Sequence, residues 1–279
     1  MDIDCEVDRS TQHALLQRVY RHTGIAMPER KWTLLQGRLR RRLQALSLES
    51  YQDYLGVLEN RPDELSHFIN LVTTNETSFF RTPRIWDYLW QVYLPHWHAA
   101  HPGGTLQIWS AAASTGEEAY SLAMLCEEYR ERHPGFRYRI LATDIATDVL
   151  QVGQRGRYGG RNVEGLRKSR PAMLEKYFCA TDGEAEVLPA LRSNISFREH
   201  HLHKRMEGGV RVDLALLRNV LIYFDEEGQQ VVLENVRRAM VNDGVLIIGE
   251  SESLGRFKTG FEFEQPLIYR NRTGHARGP

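Results

Sequence analysis

Residues 105–124 read TLQIWSAAASTGEEAYSLAM, and their reading decides the fold. TLQIWSAA is a strand, a loop of small residues follows, and a helix runs from about Glu117 to Arg132. Ala111, Ala112, Ala113, Ser114 and Gly116 let a ligand come close to the backbone. Ligands of open α/β sheets sit at the carboxyl ends of the strands, in the crevice that such turns form. Glu117 and Glu118 at the helix start suit the helix dipole, but they repel a pyrophosphate placed there. The turn therefore favours a ligand without phosphates, held through hydroxyls or an amine. Taken alone, it serves equally well as a tight turn with helix-capping glutamates.

Downstream, HPGF breaks the helix and YRILATDI is a second strand with Asp144 at its tip. SNISFREH, RVDLALLRN, GVLIIGE and PLIYRNR are later strands, and EEGQQVVLENVRRAM is a helix. Strands alternating with helices predict an α/β fold with a mostly parallel sheet. YFCATDGEAEVLPALR breaks the alternation, so residues 176–194 are expected to be a small inserted antiparallel β-subdomain. Upstream, residues 9 to about 80 are helical. Leu35, Leu39, Leu43 and Leu46 share one helical face, while Arg38, Arg41 and Arg42 fall on others. Ser50 is an N-cap for the helix that follows it. The expected division is a helical domain over 1–80 and an α/β domain over 81–279.

The 279 residues carry 36 Lys and Arg against 36 Asp and Glu, so net charge gives no reason to expect nucleic acid. Charge is uneven, however: residues 9–48 hold nine basic side chains and one acidic, Glu29. That asymmetry concerns partners rather than fold. Cys5, Cys126 and Cys179 are far apart and form no CxxC pair, which argues against a disulfide framework or a thiolate metal site. The acidic N-terminus is not a signal peptide, and no apolar run is long enough to span a membrane. A cytoplasmic protein without membrane insertion is expected, with frayed last residues GHARGP. The histidines of HWH (96–98) and HHLH (200–203) have no carboxylate at ligand spacing, so no metal is expected.

Three further stretches carry chemistry. Asp144 stands where nucleoside-binding folds place an acceptor for ribose hydroxyls, although Asp144 or Thr147 also serves as a helix cap, with Asp148 facing solvent. In LVTTNETSFFRTP (71–83), Asn75, Thr77 and Arg81 line a site while Phe79 and Phe80 pack. In LLRNVLIYFD (216–225), Arg218, Asn219 and the Tyr223 hydroxyl edge an apolar run. Such groups are costly to bury unless paired, so they satisfy each other or face a ligand.

NETSFFRTP, WSAAASTGEEAYSLAM, ATDIATDVL and RNVLIYFD, in this order and spacing, resemble the chemotaxis receptor glutamate methyltransferases, the CheR-type family. GVLIIGESESL resembles the family's later core strand. The resemblance implies a Rossmann-like class I methyltransferase sheet that uses S-adenosylmethionine and releases S-adenosylhomocysteine. It also implies a helical N-terminal domain and an inserted β-subdomain. It places Asn75, Thr77, Arg81, Glu118, Asp144, Arg218 and Asn219 at the cofactor, with Ala111 and Gly116 of the first turn. His201-Leu202 stands where many relatives carry Asn-Leu, a departure that bears on one contact to the adenine. Arg81 and Tyr223 match the pair facing the transferred methyl and the acceptor glutamate.

The implied substrate is the glutamate-rich cytoplasmic helices of chemoreceptors, with Arg38, Arg41 and Arg42 steering and docking that acidic surface. The short insert around Cys179 to Leu188 implies direct recognition of the methylation helices, without a receptor pentapeptide tether. The enzyme is then a monomer recruited to membrane receptor arrays, with a regulatory adaptor as a further partner. The alternatives are a same-fold methyltransferase with another acceptor and a non-catalytic regulatory relative. The missing GxGxxG argues against a nicotinamide dehydrogenase.

Overall fold

The computed structural model describes residues 7–181 and 183–272. Cys5 and the GHARGP tail lie outside the described residues. Helix α1 (Arg9–Thr23) starts at Asp8, whose carboxylate accepts the N–H groups of Ser10 and Thr11, and ends at Gly24 with φ 72°. Helix α2 (Trp32–Ala45) buries Leu35, Leu39 and Leu43 completely, one stripe at helical spacing. Ser50 Oγ accepts Asp53 N–H to start α3 (Tyr51–Asn60), and α4 (Pro62–Val72) begins on a proline. These four helices share a core of their own that includes Leu15, Leu39, Tyr54 and Phe68.

The arginines expected to form a docking face divide differently. Arg42 is bidentate to Glu64, with Nε to Oε1 at 2.8 Å and Nη2 to Oε2 at 2.5 Å, and Glu64 is fully buried. Arg38 Nη1 donates to the carbonyls of Leu71, Val72 and Thr73 at 2.9, 3.2 and 2.8 Å, capping the end of α4. Two of the three arginines thus fasten α2 to α4, and Arg41 is the exposed one. Burial opposes ionisation of Glu64, but the bonds from Arg42 and Tyr54 outweigh it and hold its carboxyl below the usual range. The stabilisation is present above the unfolded carboxyl's pKa and is lost as pH falls through the lower folded value. Replacing Arg42 with Ala leaves a buried carboxylate without its cation. The expected loss is about 3 kcal/mol of stability, read by urea unfolding. An unchanged midpoint would contradict the assignment.

Past the linker at 73–82, α5 (Pro83–Tyr88) runs through a π turn at Leu89–Tyr93 into α6 (Leu94–Ala100). The α/β part then follows as β1 (Thr105–Ala111), α7 (Glu117–Arg132), β2 (Arg137–Asp144) and α8 (Thr147–Arg155). Next come β3 (Arg157–Tyr158), α9 (Gly160–Ser169), α10 (Pro171–Tyr177), β4 (Phe178–Thr181), β5 (Glu184–Val187) and α11 (Pro189–Arg192). The chain finishes with β6 (Ile195–Glu199), β7 (Val212–Leu217), α12 (Glu226–Ala239), β8 (Met240–Ile248), β9 (Phe261–Gln265) and β10 (Ile268–Asn271). The main sheet has the order β6-β2-β1-β7-β8-β10-β9. Its first five strands are parallel, and β10 and β9 are antiparallel to their neighbours. Helices cover both faces of a parallel sheet, which is why DLALL and GVLII read as unbroken apolar runs. Sheet order reverses between β1 and β7, and ligand crevices form at the carboxyl ends of strands at such a point.

The second sheet is small and antiparallel, in the order β3-β5-β4. Its third strand comes from Arg157–Tyr158, upstream of the insert expected at 176–194. Cys126 is buried, Cys179 is exposed, and neither is in a disulfide. No helix among the described residues is long and apolar enough to cross a membrane.

Candidate functional site

A cavity of about 920 Å³, its open mouth included, lies at the carboxyl ends of β2, β1 and β7. One wall is the β1–α7 turn, where Ala112, Ala113 and Ser114 present backbone and Glu118 presents its carboxylate. Asp144 and Ile145 close the end of β2, and His200 and Leu202 follow β6. Arg218, Asn219 and Tyr223 follow β7. The linker supplies Asn75, Thr77 and Arg81, the last residue of α1 adds Thr23, and the loop after it adds Ile25.

Asp144 is the deep acceptor. Its Oδ2 takes Ser114 N–H at 2.8 Å and its Oδ1 takes Ala146 N–H at 3.0 Å, which ties two strand-end loops to one carboxylate. The cap and cavity readings of Asp144 therefore both hold in part. Burial pushes its carboxyl above the ordinary range, and the N–H donors of Ala146, Ser114 and Ile145 hold it back. Ser114 Oγ donates to the Asn75 carbonyl at 2.8 Å, so the linker is pinned to the same turn.

Arg218 is a hub. Its side chain is only 4% exposed, and Nη1 donates to Glu118 Oε2 at 2.7 Å. Nη2 donates to the Arg81 carbonyl at 3.0 Å, a carbonyl that also accepts from Trp86 Nε1 at 3.0 Å. Ser110 Oγ gives Glu118 a second bond at 2.7 Å. Arg218 Nε is buried without a partner among the described residues, as is His200 Nε2. Both residues line the cavity. A buried polar atom without a partner is uncommon, and these two belong to residues of the cavity wall, where a ligand would partner them.

Phe80, Thr82, Ala112, Ser114 and Asn219 all have left-handed φ, between 51° and 64°. Such backbone costs of order 1–3 kcal/mol per residue and persists only where the surroundings enforce it. Phe80 and Thr82 flank Arg81, whose exposed side chain stands at the mouth with Nη1 3.4 Å from the Glu76 carbonyl. Tyr223, half-buried, lies in a 3₁₀ turn at Leu221–Tyr223, and its carbonyl accepts Ala26 N–H at 2.9 Å. The helical region thus holds the turn that carries the tyrosine.

Of the expected residues, Asn75, Thr77, Arg81, Glu118, Asp144, Leu202, Arg218, Asn219 and Tyr223 come together around the cavity. Three do not. Ala111 is buried at the end of β1, paired in register with Thr143 and Leu217. Gly116 serves packing: at φ 96° an added Cβ would lie 3.0 Å from the Tyr158 hydroxyl and 3.1 Å from Gly153 Cα. His201 is not part of the lining; its Nε2 lies 3.2 Å from Glu199 Oε1, and His200 lines the cavity in its place. Glu117 is spent on Thr115 and Asn162, so only Glu118 of the pair reaches the cavity. Thr23 and Ile25 were not anticipated; they lie far away in sequence and no local pattern marks them. Among the described residues, no group of three or more His, Cys, Asp or Glu is placed to hold a metal.

Comparison with known proteins agrees with this geometry. Residues 75–268 match the family described as "CheR methyltransferase, SAM binding domain", and residues 13–73 match "CheR methyltransferase, all-alpha domain". The chain is 34% identical over 260 residues to the chemotaxis protein methyltransferase of Escherichia coli strain K12, spanning 91% of this chain and 87% of that one. It is 36% identical to chemotaxis protein methyltransferase 2 of Pseudomonas aeruginosa, spanning 85% of this chain and 84% of that one. With the chemotaxis protein methyltransferase of Listeria monocytogenes it shares 40% identity over 68% of this chain and 70% of the relative. The helices, the switch-point cavity and both matched regions lead to one conclusion: the chain belongs to the CheR methyltransferase family, the S-adenosylmethionine-dependent methyltransferases of chemotaxis.

Proposed function

We propose that this enzyme methylates the side-chain carboxylates of glutamates on chemoreceptor cytoplasmic helices. The observation that carries the reading is the polarity of the cavity at the strand ends: hydroxyl acceptors lie deep, and an arginine and a tyrosine stand at its mouth. The residues fit S-adenosylmethionine. Asp144 and Glu118 accept from hydroxyls or an amine, the 112–114 turn admits close backbone approach, and Ile145 and Leu202 offer an apolar wall. The Arg218 Nε–H donor and the His200 Nε2 ring nitrogen are free to meet polar groups of the cofactor. When bound, S-adenosylmethionine supplies a methyl group made electrophilic by its sulfonium.

The acceptor needs no general base from the protein. A glutamate with a pKa near ~4.3 is already ionised at neutral pH, so catalysis rests on alignment and exclusion of water. Arg81 and Tyr223 orient the incoming carboxylate. Arg81 offers a charge-assisted contact, and its planar fork matches a carboxylate. That contact must not hold the ground state more tightly than the transition state. Arg41, exposed on α2, steers the acidic receptor helix, and this contribution weakens as salt screens it. Arg38 and Arg42 act indirectly, by holding α2 to α4.

Asp144 gives the site a pH signature. Because burial raises its carboxyl pKa, the ionised acceptor is lost at a higher pH than an ordinary aspartate would be. Affinity for S-adenosylhomocysteine is expected to fall as pH drops through that raised value. Asp144→Asn is expected to weaken binding about tenfold at neutral pH and to flatten the acid limb. Calorimetric titration across pH reads both effects, and an acid limb that persists in the variant would remove Asp144 as its source.

Tandem mass spectrometry of receptor cytoplasmic domains incubated with enzyme and S-adenosylmethionine tests the acceptor. The added methyl mass is expected on glutamate side chains. Its appearance on lysine, arginine or histidine would refute the reading.

A further inference from the structure

After β8 the chain reads GESESL, and Glu252 of this stretch is not among the cavity-lining residues. It is 9% exposed, and its carboxylate accepts four backbone N–H groups. Oε1 takes Val220 and Leu221 N–H, each at 2.8 Å. Oε2 takes Asn219 N–H at 3.0 Å and Gly249 N–H at 2.6 Å. Three of the four donors belong to one loop, the segment between Arg218 and Tyr223. Such a carboxylate has its acceptor capacity filled by backbone, and charge-assisted bonds of this kind are roughly twice as strong as neutral ones.

The loop needs such an anchor. Asn219 sits at φ 58°, a left-handed conformation that a non-glycine residue holds only under constraint. Strand β8 comes so close that a Cβ at Gly249 would lie 2.7 Å from Asn219 N and 2.8 Å from Glu252 Oε2. The carboxylate therefore bridges the ends of β7 and β8 through contacts that tolerate no added atom. On one side of the anchored segment is Arg218, the hub to Glu118 and Arg81. On the other is Tyr223.

We propose that Glu252 is a positioning residue for methyl transfer: its carboxylate holds the 219–221 backbone so that Asn219 and Tyr223 meet cofactor and acceptor in register. The inference rests on the cofactor reading of the cavity, and it deepens that reading by assigning a residue outside the cavity wall.

Glu252→Gln is the test. The amide keeps the shape but has one acceptor oxygen, and its NH₂ would face two N–H donors of the loop or of Gly249. Affinity for S-adenosylhomocysteine by calorimetry and turnover on a receptor domain are each expected to fall about tenfold or more. Circular dichroism should still report a folded protein. Ser251→Ala, an exposed neighbour in the same stretch, is expected to match wild type in both. Gly249→Ala reaches the same loop from the β8 side, and its turnover is expected to fall as well. A folded Glu252→Gln enzyme with wild-type affinity and turnover would overturn the proposal.

If that variant does not fold, the wild-type protein decides. Hydrogen exchange of the Val220, Leu221 and Gly249 amides is expected to be strongly protected, and rapid exchange would overturn the anchor. Wild-type protein that binds no S-adenosylhomocysteine would instead condemn the reading of the cavity, which is a separate outcome.

Discussion

Arg81→Ala is expected to lower turnover roughly a hundredfold while shifting cofactor affinity no more than a few-fold. The separation follows from how Arg81 is built in. Its backbone carbonyl does the structural work, accepting from Arg218 Nη2 and Trp86 Nε1. Alanine keeps that carbonyl, so the linker and the arginine hub stay in place. What is lost is the exposed guanidinium, which makes a long contact to the Glu76 carbonyl. A group so lightly engaged is available to an incoming carboxylate. Arg81→Lys keeps the charge but not the planar fork, and is expected to recover only part of the rate. Steady-state turnover and calorimetric affinity, measured on the same preparations, separate the two roles. Wild-type turnover in Arg81→Ala would remove Arg81 from the chemistry. A matching collapse in cofactor affinity would make it a binding residue instead.

Arg218→Met is expected to act in the opposite way, through binding and stability together. The substitution is similar in length and apolar. It leaves Glu118, whose side chain is 12% exposed, with Ser110 as its remaining protein partner, and it takes one donor from the Arg81 carbonyl. Removing one member of a buried pair typically costs about 3–5 kcal/mol. Thermal or urea unfolding should show that loss, and affinity for S-adenosylhomocysteine should fall by about a hundredfold or more, since two cavity walls lose their common tie. The paired variant Glu118→Gln with Arg218→Met strands no charge. It is expected to be more stable than Arg218→Met alone, a coupling that a double-mutant cycle measures directly. Strict additivity would mean that the two side chains do not work as a pair.

Much of this architecture is legible in the sequence, for identifiable reasons. The strand–turn–helix of TLQIWSAAASTGEEAYSLAM declares itself because small residues interrupt an apolar strand before a helix, and the observed α7 occupies Glu117–Arg132. The alternation of later strands and helices is equally local, so the mostly parallel sheet can be foreseen. Strand β3 cannot: two residues, Arg157 and Tyr158, are too few to show a period. Strand β9 also passes unnoticed, because FEFEQ lies at the sheet edge with only Phe261 buried. No local pattern assigns an element to residues 83–100, which form α5, the π turn and α6.

The site shows the same division between local and distant information. Motif stretches bring Asp144, Arg218, Asn219 and Tyr223 into view, because polar groups at the edges of apolar runs stand out. What decides between His200 and His201 is a one-residue register after β6, fixed by the His200 N–H bond to the Asp144 carbonyl at 2.9 Å. Thr23, Ile25 and the bond from Ala26 to Tyr223 depend on how the helical region meets the sheet. The fate of Arg42 depends on Glu64, a partner on another helix. Exposure of a polar helix face can be guessed from its period, but a buried partner across the interface cannot. Glu252 illustrates the limit: GESESL offers four polar side chains in a row, and only the fold shows which one turns inward to the loop.

The central claim is that the methyl group leaving S-adenosylmethionine in this cavity ends as a glutamate ester on a chemoreceptor. The direct measurement incubates enzyme, methyl-labelled S-adenosylmethionine and receptor cytoplasmic domains, then compares S-adenosylhomocysteine formed with methanol released by mild base. Carboxylate esters hydrolyse under these conditions, whereas N-methyl products do not. Equal amounts, both formed about a hundredfold more slowly by Arg81→Ala, are the predicted result. Label that enters the receptor but stays bound through base treatment would contradict the account.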